Sequence, residues 1–238
     1  MSDTLYAERT VGQLVAEQPE RALVFERLGL DYCCGGQRRL SDACESEGLD
    51  LNSVLHDLES CDSTAVAPNT DWTKTSLTQL ADHIEQTHHA YLREALPRIS
   101  SLIEKVVRAH GENDSRLQTL QTVFSKFREG IEAHLTKEEK MVFVLCRKLD
   151  TITERPHLHS RSGRGPFSDT ISEHDDAGRE LEQMRTLTDG FSPPTTACNT
   201  YRALLHALKE LETDTHLHVH KENNILFLKA EKALNALK

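Results

Sequence analysis

LQTLQTVFSKFREGIEAHLTKEEKMVFVLC, residues 117–146, decides how the rest of the chain is read. Leu117, Leu120, Phe124, Phe127 and Ile131 recur every three or four residues, the period of one helix face. The stripe resumes at Met141 and Leu145, and the positions between are filled by His134 and Glu138. Both therefore point into a core. Burying a carboxylate costs several kcal/mol unless it is partnered, and a metal ion removes that cost by supplying the opposite charge.

The same arrangement recurs nearer the C-terminus. Leu204, Leu208, Leu211, Thr215 and Ile225 form a stripe whose interior positions are His218 and Glu222. H-x-x-x-E thus occurs twice, each time with its two ligand types one turn apart on a single face. His216 and His220 fall on another face, in line with Lys209 and Glu212, and read as solvated. In a third helical pattern, from about Ser168 to Leu187, the stripe is Ile171, His174, Ala177, Leu181 and Met184. In a fourth, from about Ser76 to Arg108, the stripe Leu77, Leu80, Ile84, Leu92, Leu96, Ile99 favours His88 as the inward residue. Pro97 can turn that stripe, so His89 stays open. With helices at about 113–149 and 195–236 and no strand-like alternation, the pattern is all-α, a four-helix bundle. Four His and two Glu at its mid-height suit two first-row ions, iron or manganese, with open coordination positions.

The remaining composition fits this reading. The chain has 238 residues, with 28 basic and 38 acidic side chains and a net charge of −10. The acidic balance and the 5% aromatic content predict neither nucleic-acid nor membrane-surface partners, both of which require clustered positive charge. The longest apolar run, Met141 to Cys146, is far short of the ~20 residues of a membrane span. The opening MSDTLYAERT lacks the basic and apolar regions of a secretory signal, so a cytoplasmic location and reduced thiols are expected.

Residues 1–62 read as a small helical domain and 63–73 as a linker, because DSTAVAPNTDW (62–72) is small, polar and interrupted by proline. Residues 74–238 form the bundle. Nearly all the net charge lies in the first 72 residues. Thr10 is a helix N-cap ahead of Val11, Leu14 and Val15, and Gly29 ends the helix after Leu28. Cys33 and Cys34 are adjacent and precede Gly35-Gly36. Adjacent cysteines close only a strained ring, so the pair suits redox exchange, metal transfer or thiolate ligation rather than a staple. Cys44, Cys61, Cys146 and Cys198 follow no pattern. His157 and His159 sit in a polar loop, and His110 and His206 read as surface residues.

LGLDYCCGG (28–36), ADHIEQTHHAYLREALP (81–97), EAHLTKEEKMVF (132–143), SEHDDAG (172–178) and HVHKENNILF (218–227) together resemble the iron–sulfur cluster repair di-iron proteins, over nearly the whole chain. The resemblance implies a hemerythrin-like up-down four-helix bundle behind a short Cys-Cys domain. It implies two iron ions, bridged by an oxygen atom and by two carboxylates, on His89, His134, Glu138, His174, His218 and Glu222. It selects His89, seven residues beyond the Asp of DHI, over the His88 that the stripe favours. The family cysteines fall on Cys33 and Cys34. The implied activity is restoration of iron–sulfur clusters after oxidative or nitrosative stress, by donation of iron more than by classical turnover. Nitric oxide or oxygen binding, sensing or reduction at the same ions is the alternative. A shell less rich in His than that of an oxygen carrier favours lability over reversible storage. Damaged iron–sulfur proteins are the implied partners, and a homodimer is admitted with no interface legible. Two departures stand out. Phe143-Val144 and Phe227-Leu228 replace a frequent Phe-Pro, and the loop at 150–167 is longer and more basic than the resemblance leads one to expect.

Overall fold

The computed structural model describes residues 6–64, 70–152 and 166–237. Among these residues no strand forms; one isolated antiparallel bridge pairs Thr10 with Arg39. The helices are α1 (Val11–Glu17), α2 (Arg21–Leu28), α3 (Leu40–Glu47), α4 (Leu51–Thr64), α5 (Leu77–Ile84), α6 (Ala90–His110), α7 (Arg116–Lys137), α8 (Phe143–Leu149), α9 (Ser168–Leu187), α10 (Asn199–Lys221) and α11 (Phe227–Ala236). Three π-helical turns interrupt them: Glu85–His89 between α5 and α6, Glu138–Val142 between α7 and α8, and Glu222–Leu226 between α10 and α11. No helix of the described residues is long and apolar enough to cross a membrane. His157 and His159 lie outside the described residues, as does most of the basic loop.

Packing divides the chain into two compact units that do not follow its order. The first comprises the described residues of Met1–Leu80, Lys148–Arg155 and His216–Lys238, and the second those of Ala81–Arg147 and Pro156–Thr215. The second unit is the four-helix bundle. Its core is a continuous cluster that includes Leu92, Leu96, Ile99, Phe124, Phe127, Leu181, Leu204 and Leu208, each side chain contributing about 1.5–3 kcal/mol by leaving water. Side-chain pairs fix an up-down arrangement. Glu139 meets Arg93 while Arg128 donates to Ser100, so α6 and α7 run antiparallel. His134 meets Glu173 and Lys126 meets Glu180, so α7 and α9 do too. His88 with Asp214 and Arg98 with Glu210 give the same sense for α6 and α10.

The first unit is built on the N-terminal helices. Thr10 caps α1 through a capping box with Gln13, which satisfies two N–H groups that a helix start otherwise leaves open. Gly29 adopts φ 71° at the end of α2, a left-handed conformation that glycine takes without steric cost. Val11, Leu14, Phe25, Tyr32, Leu40 and Leu58 are fully buried and pack with Val219 in one cluster. Buried Arg21 reaches across to Asp62, with Nε 2.9 Å from Oδ1 and Nη2 2.6 Å from Oδ2, and also donates to the carbonyl of Leu14 at 3.0 Å. Asp150 accepts the first amides of α5, from Leu77 at 3.3 Å and Thr78 at 2.8 Å, where the helix dipole favours an anion.

The stripes hold with one systematic shift. Met141, expected inside, is 66% exposed. Val142, Phe143 and Cys146 are buried in its place, and Leu145 is half-buried. The turn between them is π, and its i→i+5 hydrogen bonds insert an extra residue into the period. Ile171, also expected inside, lies at the surface, while Thr170 and Phe167 are buried. Pro97 stands within α6, but the change of register comes earlier, at the π turn that ends on His89.

Candidate metal centre

Glu138 is fully buried and three imidazoles of the second unit surround it. His134, one turn earlier on α7, places Nε2 3.2 Å from Oε2. His89, the last residue of the first π turn, places Nε2 3.4 Å from the same oxygen. His174 on α9 places Nε2 3.8 Å from Oε1 and 3.1 Å from Nε2 of His134. His134, Glu138 and His174 each offer a ligand atom within 4.8 Å of the others.

A second layer of carboxylates decides which nitrogen each ring presents. Nδ1 of His134 lies 2.8 Å from Glu173, which Lys137 also holds. Nδ1 of His89 lies 2.8 Å from Glu139, whose two carboxylate oxygens both accept from Nη2 of Arg93 at 2.7 Å. A carboxylate on Nδ1 keeps a proton there and turns the Nε2 lone pair inward, the arrangement that metal-binding histidines use. Burial pushes the Glu138 carboxyl up, but the imidazoles of His134, His174 and His89 outweigh it and hold the group well below the usual range. Burial pulls His134 down, and Glu138 and Glu173 reverse that and raise it to about 9. A divalent cation would supply the same positive charge to Glu138 with the imidazoles neutral. The donor set suits it: imidazole and carboxylate are first-row-metal ligands.

His88 goes elsewhere. It is also buried, but its Nδ1 lies 2.8 Å from Asp214. Both residues of the His-His pair point inward, and His89 is the one at Glu138.

In the first unit, His218 and Glu222 are fully buried one turn apart, Nε2 to Oε1 3.2 Å. Glu222 opens the third π turn as Glu138 opens the second. The expectation that His216 and His220 are solvated is corrected. His216 is half-buried against the ring of Tyr32. His220 is buried, and its Nδ1 lies 3.3 Å from the carbonyl of Tyr32. Burial pushes His220 down to about 4, so the ring is neutral, and its Nδ1 also lies 3.3 Å from Nδ2 of Asn224. Glu212, on the same supposed surface face, is buried against Arg185.

Cys33 and Cys34 are free thiols with Sγ atoms 3.9 Å apart. Asp31 organises their turn: Oδ1 accepts from the amides of Cys33 and Cys34 at 2.9 and 3.0 Å and from the Cys33 thiol at 3.2 Å, and Oδ2 accepts from Gly35 at 2.8 Å. The neighbouring Cys34 thiol, burial and Asp31 together push the Cys33 thiol well up. Asp31, Cys33 and Cys34 also bring potential ligand atoms within 4.8 Å of one another.

Periodicity missed the outer carboxylates Glu139 and Glu173 and the π turns. The first two leave a faint trace, since each is an acidic residue directly beside an expected ligand. The turns leave none.

Comparison with known proteins agrees with this chemistry. Residues 7–62 match a domain of unknown function, DUF542, and residues 80–230 match the hemerythrin HHE cation binding domain. The iron–sulfur cluster repair protein YtfE of Musicola paradisiaca (strain Ech703) is 33% identical over 228 residues, 94% of this chain and 97% of that one. The iron–sulfur cluster repair protein ScdA of Staphylococcus haemolyticus (strain JCSC1435) is 30% identical over 227 residues, 93% of this chain and 97% of that one. With both domains matched in order and relatives aligned along nearly its whole length, the chain belongs to the family of iron–sulfur cluster repair proteins, a DUF542 domain followed by a hemerythrin HHE cation-binding domain.

Proposed function

We propose that this protein holds two iron ions on His89, His134, Glu138, His174, His218 and Glu222 and returns iron to damaged iron–sulfur proteins. Glu138 and Glu222 are the carboxylate bridges of that assignment, with an oxygen atom as the third bridge. The observation that supports it best is the arrangement around Glu138, where three inward Nε2 atoms meet one buried carboxylate and two of the rings are locked from behind by Glu139 and Glu173. The names of the relatives supply the process.

Iron in this site is cargo. When bound, it supplies a redox-active ion with coordination positions open to exchange. The chain's own residues set how firmly it is held. Carboxylate and imidazole bind ferrous iron less tightly than the sulfur ligands of a client cluster, so the direction of transfer is downhill. Glu139 and Glu173 keep the rings of His89 and His134 aimed and hold the proton on Nδ1, so Nε2 is the nitrogen each ring presents to a cation. The apolar core of the bundle, with Phe143 stacked on His89 at 5.2 Å between centroids, shields the ligands from water. Cys33 and Cys34 act in the same proposal as a thiol relay for iron or electrons.

The test is transfer of label. Protein loaded anaerobically with ⁵⁷Fe(II) is mixed with a dehydratase whose cluster has been damaged by oxidant, and the rebuilt cluster is examined for label. Label in the restored cluster together with recovered dehydratase activity supports the proposal. Recovery without label rejects iron donation.

A further inference from the structure

Two pairs of residues interleave where α10 passes into the third π turn. His218 and Glu222 are the proposed ligands. His220 and Asn224, each two residues further on, face another side and meet the turn that carries the thiols. Asn224 is buried. Its Nδ2 donates to the carbonyls of Tyr32 at 3.1 Å and Cys33 at 3.0 Å, and its Oδ1 accepts from Nε2 of Gln37 at 2.8 Å. The carbonyls only accept and the glutamine NH₂ only donates, so one orientation of the amide satisfies all three. Space is reserved for it. A Cβ on Gly12 would lie 2.5 Å from Oδ1 of Asn224, and one on Gly36 2.6 Å from its Nδ2. The two glycine backbones are themselves joined, Gly12 N–H to the Gly36 carbonyl at 2.8 Å.

We propose that Asn224 is a positioning residue that couples metal occupancy at His218 and Glu222 to the exposure of Cys33 and Cys34. The inference rests on the iron-binding reading above. Glu222 and Asn224 share one five-residue π turn. A cation on the buried Glu222 carboxylate stabilises that turn, and the turn presents the amide that pins the Tyr32 and Cys33 carbonyls. Losing the cation loosens the turn, and the thiol segment opens more often. Cys33 is buried and Cys34 half-buried, so reagents reach them through such local opening.

The experiment follows alkylation of each cysteine by iodoacetamide in the full chain, by peptide mass spectrometry, without metal and with Fe(II) under anaerobic conditions. Exposed Cys198 is the internal reference. Two hydrogen bonds of ordinary strength predict that metal slows Cys33 and Cys34 about tenfold while Cys198 is unchanged. Asn224→Asp keeps the size and the acceptor for Gln37 but cannot donate to either carbonyl, and it brings the ratio close to one when both proteins are loaded at saturating Fe(II). Asn224→Ala gives the same result if the buried carboxylate prevents folding. Coupling is reciprocal, so wild-type protein alkylated at Cys33 and Cys34 binds Fe(II) about tenfold more weakly.

Metal-dependent protection that survives both substitutions overturns the coupling alone, and so would direct ligation of iron by the thiols, which leaves protection intact in the variants. Absence of Fe(II) uptake by the wild type overturns the iron-binding reading and the coupling with it.

Discussion

The Nε2 atoms of His134 and His174 face each other at 3.1 Å inside the bundle. Nδ1 of His134 is held by Glu173, so its inward nitrogen is the one left to meet a proton or a cation. Glu138 completes the group from the same side. Glu138→Gln preserves shape and removes the charge, and Glu138→Leu removes the ligand as well. The expected outcome is loss of at least half the bound iron in the first and more in the second, with helical content unchanged. Metal analysis beside circular dichroism checks it, and wild-type iron in Glu138→Leu rejects the bridging role.

The outer carboxylates act through the rings. Glu173→Ala and Glu139→Ala leave every proposed ligand in place but release Nδ1, so iron affinity falls about tenfold to a hundredfold, the usual cost of losing such a partner. Chelator competition measures this. Equal affinity in both variants means that Glu139 and Glu173 serve only as surface ion pairs with Arg93 and Lys137.

The bundle is legible in the sequence because Leu117, Phe124, Phe127 and Ile131 keep the α period without interruption through α7, and each H-x-x-x-E pair continues the stripe of its own helix, His134 and Glu138 that of α7, His218 and Glu222 that of α10. Reading fails where the period changes. Counting by 3.6 placed Met141 inside and favoured His88. The π turns at Glu138–Val142 and Glu85–His89 shift the buried positions to Val142 and set His89 beside Glu138 and His88 beside Asp214. His220 was misread for a different reason. Its face is polar, and a polar face signals solvent unless another segment covers it. The segment that does so, around Tyr32, lies far away in sequence.

Arg21 tests the first unit. Its side chain is 7% exposed, and the guanidinium bridges Asp62 and the Leu14 carbonyl. Arg21→Ala leaves the partly exposed Asp62 carboxylate and the Leu14 carbonyl without this donor, and it destabilises the protein by about 3 kcal/mol. Chemical denaturation followed by fluorescence of the single tryptophan, Trp72, which lies in this unit, measures it. A loss under about 0.5 kcal/mol would place the pair among ordinary surface ion pairs.

Cys198 gives a pH-dependent outcome. The sequence offers no pattern for it, yet Nε2 of His110 lies 3.2 Å from its sulfur. That hydrogen bond, with the amides of Tyr201 and Thr200, lowers the thiol to about 7. The thiolate is the reactive form and predominates above that pH, so alkylation of Cys198 rises through about pH 7 and levels off above it. His110→Ala moves the midpoint up toward the ordinary value of about 8.5. A wild-type midpoint already at the ordinary value contradicts the geometry.

Six residues are proposed to hold two iron ions. Mössbauer spectroscopy of the anaerobically ⁵⁷Fe-loaded protein tests this assignment most directly, because it counts iron environments and reports magnetic coupling between them. The expected spectrum shows about two iron ions per chain in a coupled pair with nitrogen and oxygen ligands, and Glu138→Leu loses the coupling. A single uncoupled ion, or a spectrum dominated by sulfur ligation, contradicts it.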